Sequence, residues 1–468
     1  MKMYRAKLLI LITTLAVWLT ISGYPAIVSS APPFWPEPLP GIRPVIFVHG
    51  GSGSGAQFES QAMRFMSNGY PLDYLWVLEY DSSFKIETME DVWSRLDELI
   101  SVILAQTSAE KVDLMGHSLG TRVLLGYLAT PERRAKVAHY VNIDGSSGAS
   151  APEGVPTLGI WSAPGREIKD AVKNVWIPNQ THVEVATSAE AFVEIFKFLT
   201  GQEPWTKDIV PEPPGQIRLA GRVVYFPWNT GVEGATLEIW EVDGNTGMRT
   251  REKPEAVYFI DADGSWGPFE AKAGLHYEFA VTFTGPLGLE TIHYYREPFI
   301  RSDYFIRILV SIPGGVAYLG ERSPRHSAML ILRYKEFWGD QAENNDVLEI
   351  NGINVVTDKI CPRIKLVNGI WVYDKNCDGI SDLTKPIDVY YALIFQTGVD
   401  LFIPAADPPN ATISLVLTTR FGGGKTQVIN VPNWASLTEK VLHRIVVQFN
   451  DYLQEINSFQ EYMRQWRP

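Results

Sequence analysis

From Gly41 to Gly201 the apolar positions alternate between two kinds of run. Val45-Ile46-Phe47-Val48, Tyr74 to Leu78, Lys111 to Met115, Ala138 to Ile143 and Thr157 to Trp161 are short and mostly apolar, with strand length. Between them, Met89 to Gln106 sets Val92, Leu96, Leu99, Ile100 and Ile103 at helical spacing, and Thr121 to Leu128 and Ala189 to Leu199 also read as helices. Strands without polar alternation, separated by amphipathic helices, predict a parallel sheet covered on both faces. Residues 201–215 hold Pro204, Pro211, Pro213 and Pro214, which mark a linker. Beyond it the period becomes two. Gln216 to Tyr225, Ala235 to Val242, Ala256 to Asp261 and Tyr277 to Phe283 read as strands between Gly, Asn and Asp turns. Residues 302–468 again read mostly as β. Their end is ambiguous: Leu437 to Leu453 fits a terminal helix, and Ile445 to Phe449 within it fits a strand.

The resulting division is a leader over 1–31, an α/β domain over 32–203, a Pro-rich linker over 204–215, a β-sandwich over 216–300 and a β-rich C-terminal domain over 301–468. The chain length of 468 residues agrees with several domains. A hydrophobic content of 46% supports packed cores throughout. The net charge of −12 argues against nucleic acid or an anionic membrane as the main partner, but not against a neutral oily substrate.

The N-terminus reads as an export signal. Lys2, Arg5 and Lys7 precede an apolar run from Leu8 to Ile21, and Val28-Ser29-Ser30-Ala31 offers small residues for cleavage. An uncleaved anchor is the alternative; both put the folded part outside the cytoplasm, secreted or held at the cell surface. In such a compartment the two cysteines, Cys361 and Cys377, are expected to pair in a disulfide, with two free thiols as the other reading.

Chemistry concentrates in Gly116-His117-Ser118-Leu119-Gly120, which lies between the strand ending at Met115 and the helix starting near Thr121. A G-x-S-x-G stretch in a strand–turn–helix setting lifts the serine hydroxyl from a sharp turn, so Ser118 is the candidate nucleophile. The other reading of Ser118 is an ordinary helix cap. Upstream, His49-Gly50-Gly51 follows the first core strand. The backbone N–H groups of Gly51 and of Leu119 are the candidate oxyanion donors. The Gly50 to Gly55 loop lacks the lysine of a phosphate-binding loop.

The base follows by elimination. His49 sits in the oxyanion turn, His117 inside the elbow and His139 within a strand, which leaves His182 in the loop before the final helix. The acid is Asp144, directly after a strand, with Asp170 and Glu167 as alternatives. The order Ser, Asp, His is that of α/β-hydrolases.

These motifs, together with Tyr140-Val141-Asn142-Ile143-Asp144-Gly145 and His182-Val183 with Thr187-Ser188, resemble bacterial and archaeal secreted lipases and esterases. Gly234-Ala235-Thr236-Leu237-Glu238-Ile239-Trp240-Glu241-Val242 and Val431-Pro432-Asn433-Trp434 are similar to a two-part archaeal-type lipase, in which a hydrolase domain precedes a β-rich lipid-binding domain. The resemblance covers nearly all of the chain beyond the leader. It implies an α/β-hydrolase fold followed by two all-β domains, hydrolysis of acyl esters, no catalytic cofactor, and Asp144 as the acid. One departure is Gly51, where many lipases carry a bulky apolar residue; it widens the acyl site. No helical lid is visible between Asp144 and Thr157, which suits small esters unless the β domains supply the cover.

Weaker signals remain. Asp374, Asn376, Asp378 and Asp382 follow the start of a calcium-loop pattern, but Lys385 stands where an EF-hand needs Glu. A structural calcium site and a plain acidic turn are both open. Asn179-Gln180-Thr181 and Asn410-Ala411-Thr412 fit the glycosylation sequon. Trp205, Phe226, Trp228, Phe402 and Trp434 suit either peripheral contact with a lipid surface or burial in β cores. The expected partner is a lipid or other acyl-ester substrate. The alternatives are the same triad acting on a polyester, thioester or amide, and a cell-surface binding protein that uses the hydrolase fold as a scaffold.

Overall fold

The computed structural model describes residues 41–452; the leader over 1–31 lies outside them. Six strands form one parallel sheet: β1 (Val45–Val48), β2 (Leu75–Leu78), β3 (Val112–His117), β4 (Val137–Ile143), β5 (Thr157–Trp161) and β6 (Lys173–Trp176), in the spatial order β2-β1-β3-β4-β5-β6. From β1 the chain runs outward to β2 and then returns on the other side of β1 to β3. The loops after β1 and β3 therefore diverge, and they open a crevice at the carboxyl ends of the strands.

Both faces of the sheet are covered, which is why its central strands lack polar alternation. Val45 and Phe47 join α1 (Glu59–Ser67) and the closing helix α6 (Ala189–Thr200) in one core with Phe58, Phe65, Phe192 and Phe196. Ile46 and Val48 join α2 (Met89–Thr107) and α3 (Leu119–Tyr127) in the opposite core. The α2 residues Val92, Leu96, Ile100 and Ile103 are fully buried there, and each contributes roughly 1.5–3 kcal/mol of apolar burial. Helix α2 starts at Thr88, whose hydroxyl accepts from the Asp91 N–H while the Asp91 carboxylate accepts from the Thr88 N–H. Two short helices complete this part, α4 (Pro131–Arg134) and α5 (Glu184–Thr187).

Beyond residue 215 the described structure is mostly β, with one short α-helix at Asp388–Tyr391. An eight-stranded sheet runs in the spatial order Ala256–Phe259, Thr236–Val242, His276–Gly285, Gly288–Arg296, Val441–Gln448, Met329–Leu332, Gly369–Tyr373 and Gln396–Asp400. Strand Val441–Gln448 lies parallel to both Gly288–Arg296 and Met329–Leu332 and so joins the earlier and later β segments in one sheet. Of the ambiguous stretch Leu437 to Leu453, Val441–Gln448 is a strand, and Leu453 lies outside the described residues. The alternating side chains Ile445 and Val447 enter the later core, and Val446 enters the earlier one. Two four-stranded sheets complete the region.

The β region packs on the α/β part through buried polar and aromatic contacts. Phe305 meets Phe47 edge-on at 5.7 Å. Arg296 pairs with Glu59, and Arg307 with Glu79. Helix α1 is buried along its whole length, with polar Ser60, Gln61 and Arg64 inside.

The cysteines correct the expected disulfide: Cys361 and Cys377 are free thiols. Cys361 is fully buried in the apolar core of the later β segment. Cys377 sits half-buried in a turn at φ +54°, where its Sγ contacts the Arg322 carbonyl. Burial pushes the Cys361 thiol well above its ordinary range.

Candidate active site

Strand β3 ends at His117 and α3 starts at Leu119, so Ser118 alone makes the turn. Its backbone takes φ +52°, ψ −118°, a region unfavourable for any residue with a Cβ. The turn closes because Gly116 and Gly120 flank it. A Cβ on Gly116 would lie 2.9 Å from the Gly120 carbonyl carbon, and one on Gly120 would lie 2.2 Å from the Val48 carbonyl oxygen. The Ser118 N–H stays in the sheet by donating to the Ile143 carbonyl at 3.0 Å.

Asp144 follows β4 directly, also at positive φ (+47°), with its N–H donating to the Ile160 carbonyl. His182 arrives from the loop before α5. The three side chains meet: the Ser118 hydroxyl donates to His182 Nε2 at 2.9 Å, and His182 Nδ1–H donates to Asp144 Oδ2 at 2.7 Å. Two backbones under steric strain and one long loop thus converge on a single imidazole.

The carboxylate of Asp144 is almost wholly enclosed and fully used. Besides His182, it accepts from the Ser162 hydroxyl at 2.7 Å, from the Ser162 N–H at 3.1 Å and from Arg166 Nη1 at 2.8 Å. Burial alone would raise its proton affinity. The hydrogen bonds from His182 and Ser162 outweigh burial and hold it at about 2, so Asp144 is ionised at any ordinary pH. Arg166 in turn lies over the Trp161 ring at 5.0 Å. The alternative acids are elsewhere: Glu167 and Asp170 are both exposed.

The elbow histidine has a supporting position. His117 Nδ1 accepts from Gln57 at 2.7 Å, and its Nε2–H donates to the His182 carbonyl at 2.7 Å. Burial, then the neighbouring His182, depress it to about 3, so it stays neutral. His49 is also fully buried. Its Nδ1–H donates to the Gly50 carbonyl, its Nε2 accepts from Asn229, and its ring stacks on Tyr80 at 4.3 Å. Burial lowers its proton affinity as well. Asn229, from the β region, also donates to the carbonyls of Gly53 and Tyr80, which fixes the loop after β1. His139 is a packing residue whose Nδ1–H donates to Asp113.

A cleft of about 390 Å³, open to solvent, exposes this constellation. Gly50 and Gly51 line it beside Ser118; a Cβ on Gly50 would stand 3.0 Å from that of Ser118. Leu119 opens α3, where first-turn N–H groups have no partner within the helix. The β region contributes Tyr334, Asn368 and Phe395 to the lining. The Phe395 ring lies parallel to His182, with centroids 6.3 Å apart. The cover absent between Asp144 and Thr157 is therefore provided by residues far along the chain.

The acidic loop at Asp374 to Asp382 is apart from this cleft. Asp374 accepts from the Gly379 N–H, Asp378 from the Ile380 N–H and Asp382 from the Thr384 N–H. Among the described residues no group of three or more His, Cys, Asp or Glu side chains is placed to hold a metal ion.

Comparison with known proteins matches the class 2 lipase family to residues 42–126, the lipase C-terminal domain to 215–313 and a further C-terminal domain family to 315–453. The first match contains the His49-Gly50-Gly51 turn and the Ser118 elbow; Asp144 and His182 lie beyond it. Among solved structures, the phospholipase PlaB from Legionella pneumophila in complex with thio-NAD is similar at 8% identity and a TM-score of 0.21, over 88% of this chain and 96% of that one. So slight a likeness leaves the chemistry to be read from the site. The chain is thus similar to lipases over two segments, one in the part built on the parallel sheet and one in the β-rich region that follows it.

Proposed function

We propose that this lipase-like chain is a serine carboxylic-ester hydrolase that works through an acyl-enzyme and acts outside the cytoplasm. The observation that carries the reading is the continuous hydrogen-bonded line from the Ser118 hydroxyl through His182 to Asp144. Ser118 Oγ attacks the ester carbonyl carbon while His182 Nε2 takes its proton. Asp144 keeps the opposite nitrogen protonated and stabilises the imidazolium. The carbonyl oxygen, now an anion, accepts from the Gly51 and Leu119 N–H groups. Collapse expels the alcohol, protonated by His182, and leaves the acyl group on Ser118. Water then attacks that acyl group with His182 again as base, which releases the acid and restores the serine.

The substrate class follows from the lipase-type segments, and the aromatic residues in the lining of the cleft suit it. Gly50 and Gly51 line the cleft beside Ser118, and Tyr334 and Phe395 are aromatic residues of the same lining. The basic stretch at Lys2, Arg5 and Lys7 followed by the apolar run from Leu8 to Ile21 supports export.

Hydrolysis of p-nitrophenyl esters of graded chain length tests the reading. Native protein turns over at least part of the series. His182→Ala lowers kcat by roughly three orders of magnitude or more, in line with loss of a triad base. Near-native turnover by that variant would mean another base.

A further inference from the structure

We infer that Glu336, a buried carboxylate of the C-terminal β region, is a positioning residue for His182, so that the base of the active site is held from outside the hydrolase part. The inference rests on the triad reading above. It begins with a local deficiency. The segment Val183 to Thr187 turns into the short helix α5 directly after His182, yet its cap residue Val183 has no side-chain acceptor for the exposed backbone donors. The missing acceptor comes from Glu336. The Val183 N–H donates to its Oε1 at 2.8 Å and the Glu184 N–H to its Oε2 at 3.1 Å. These are the two peptide donors immediately following His182.

A second grip comes from the same region. Arg420 Nη2 donates to the Glu184 carboxylate at 2.8 Å, Arg420 Nη1 donates to the Glu336 carbonyl at 2.7 Å, and Arg420 pairs with buried Asp346. The residue two before Glu336 is Tyr334, which lines the cleft. On the hydrolase side His182 is held by its ring bonds to Asp144 and Ser118 and by its carbonyl bond from His117. Glu336 is fully enclosed. Burial, then the Glu184 charge, raise its proton affinity, and the Val183 N–H works in the other direction. A buried acidic side chain is costly unless it is paired or hydrogen-bonded, and its use here fits a demand for position. Displacing a catalytic group by about 1 Å can cost on the order of 100-fold in rate.

The test is a cycle of purified full-length variants assayed with p-nitrophenyl butyrate: native, Glu336→Gln, His182→Ala and the double variant. Glu336→Gln is expected to lower kcat by about 100-fold with KM changed by no more than about 2-fold. In the His182→Ala background it is expected to cause no further loss, because the carboxylate acts through the histidine. Glu336→Asp keeps the charge and is expected to recover part of kcat; it carries the same comparison if the glutamine variant does not fold. Native kcat in Glu336→Gln, or an equal loss on both backgrounds, overturns the inference while an inactive His182→Ala leaves the triad standing. An active His182→Ala removes the triad and this inference with it.

Discussion

Arg166 Nη1 stands 2.8 Å from Asp144 Oδ1, so the carboxylate that orients His182 carries a cation on its other oxygen. Such a cation weakens the field that Asp144 exerts on the imidazole. The guanidinium is about one-third exposed, so solvent screens part of its effect. Replacing it with a neutral side chain leaves the imidazolium facing a less compensated negative charge. In Arg166→Gln the acid limb of the kcat/KM profile is therefore expected to move to higher pH, by about half a unit. The plateau is expected to change little, since Ser162 and His182 still satisfy Asp144. A pH–rate series on one ester measures this, and a shift to lower pH would contradict the electrostatic account.

Phe395 lines the cleft together with Ser118 and lies parallel to the His182 ring. It does so at φ +62°, which only a tight turn before the strand Gln396–Asp400 requires. Phe395→Ala is expected to enlarge the space in the cleft next to His182 and to raise kcat/KM for long-chain esters relative to short ones. The ratio of octanoate to acetate p-nitrophenyl ester turnover reads this directly. An unchanged ratio would mean that acyl chains leave the cleft by another path.

Glu297 is a buried carboxyl next to the end of the strand Val441–Gln448. It accepts from the Asn450 N–H at 2.7 Å and from Gln427. Burial raises it to about 7 despite those donors. A carboxyl that is harder to ionise when folded than when unfolded costs stability as pH rises from its unfolded value, about 4.5, through 7. Above that the cost is constant. The native protein is expected to lose about 2–3 kcal/mol from this group between pH 5 and pH 8. Glu297→Gln cannot ionise, so its unfolding midpoint is expected to exceed the native one at pH 8 and to approach it near pH 5. Denaturant unfolding at both pH values checks this; a parallel loss in both proteins would assign the pH dependence to other groups.

What the sequence disclosed and what it hid follow from how local each signal is. The Ser118 elbow, the His49-Gly50-Gly51 turn and the strand ending before Asp144 are short stretches whose residue types fix their own backbone, so they can be read in place. His182 was legible by its loop and by elimination among four histidines. Helix α1 was not legible, because its Glu59, Gln61 and Arg64 look like a solvated face. They are buried against Arg296, the carbonyls of Ala186 and Ser188, and the Thr187 carbonyl. Edge strand β6, Lys173-Asn174-Val175-Trp176, is mostly exposed and has no apolar run to announce it. The partners that tune and hold the site are the furthest from local pattern. Arg166 carries no motif, and Glu336 is 153 residues from the Val183 N–H that it accepts. The two cysteines invited pairing by number alone, while the burial of Cys361 depends on a core that no spacing encodes.

The claim on which the rest depends is that Ser118 is the nucleophile. Phosphonylation of the purified protein with a fluorophosphonate, followed by intact-mass analysis and peptide mapping, tests it most directly. The account predicts one adduct per chain on the peptide that contains Gly116 to Gly120, lost in Ser118→Ala together with ester turnover. An adduct on another residue, or a Ser118→Ala protein that still hydrolyses esters at the native rate, would contradict it.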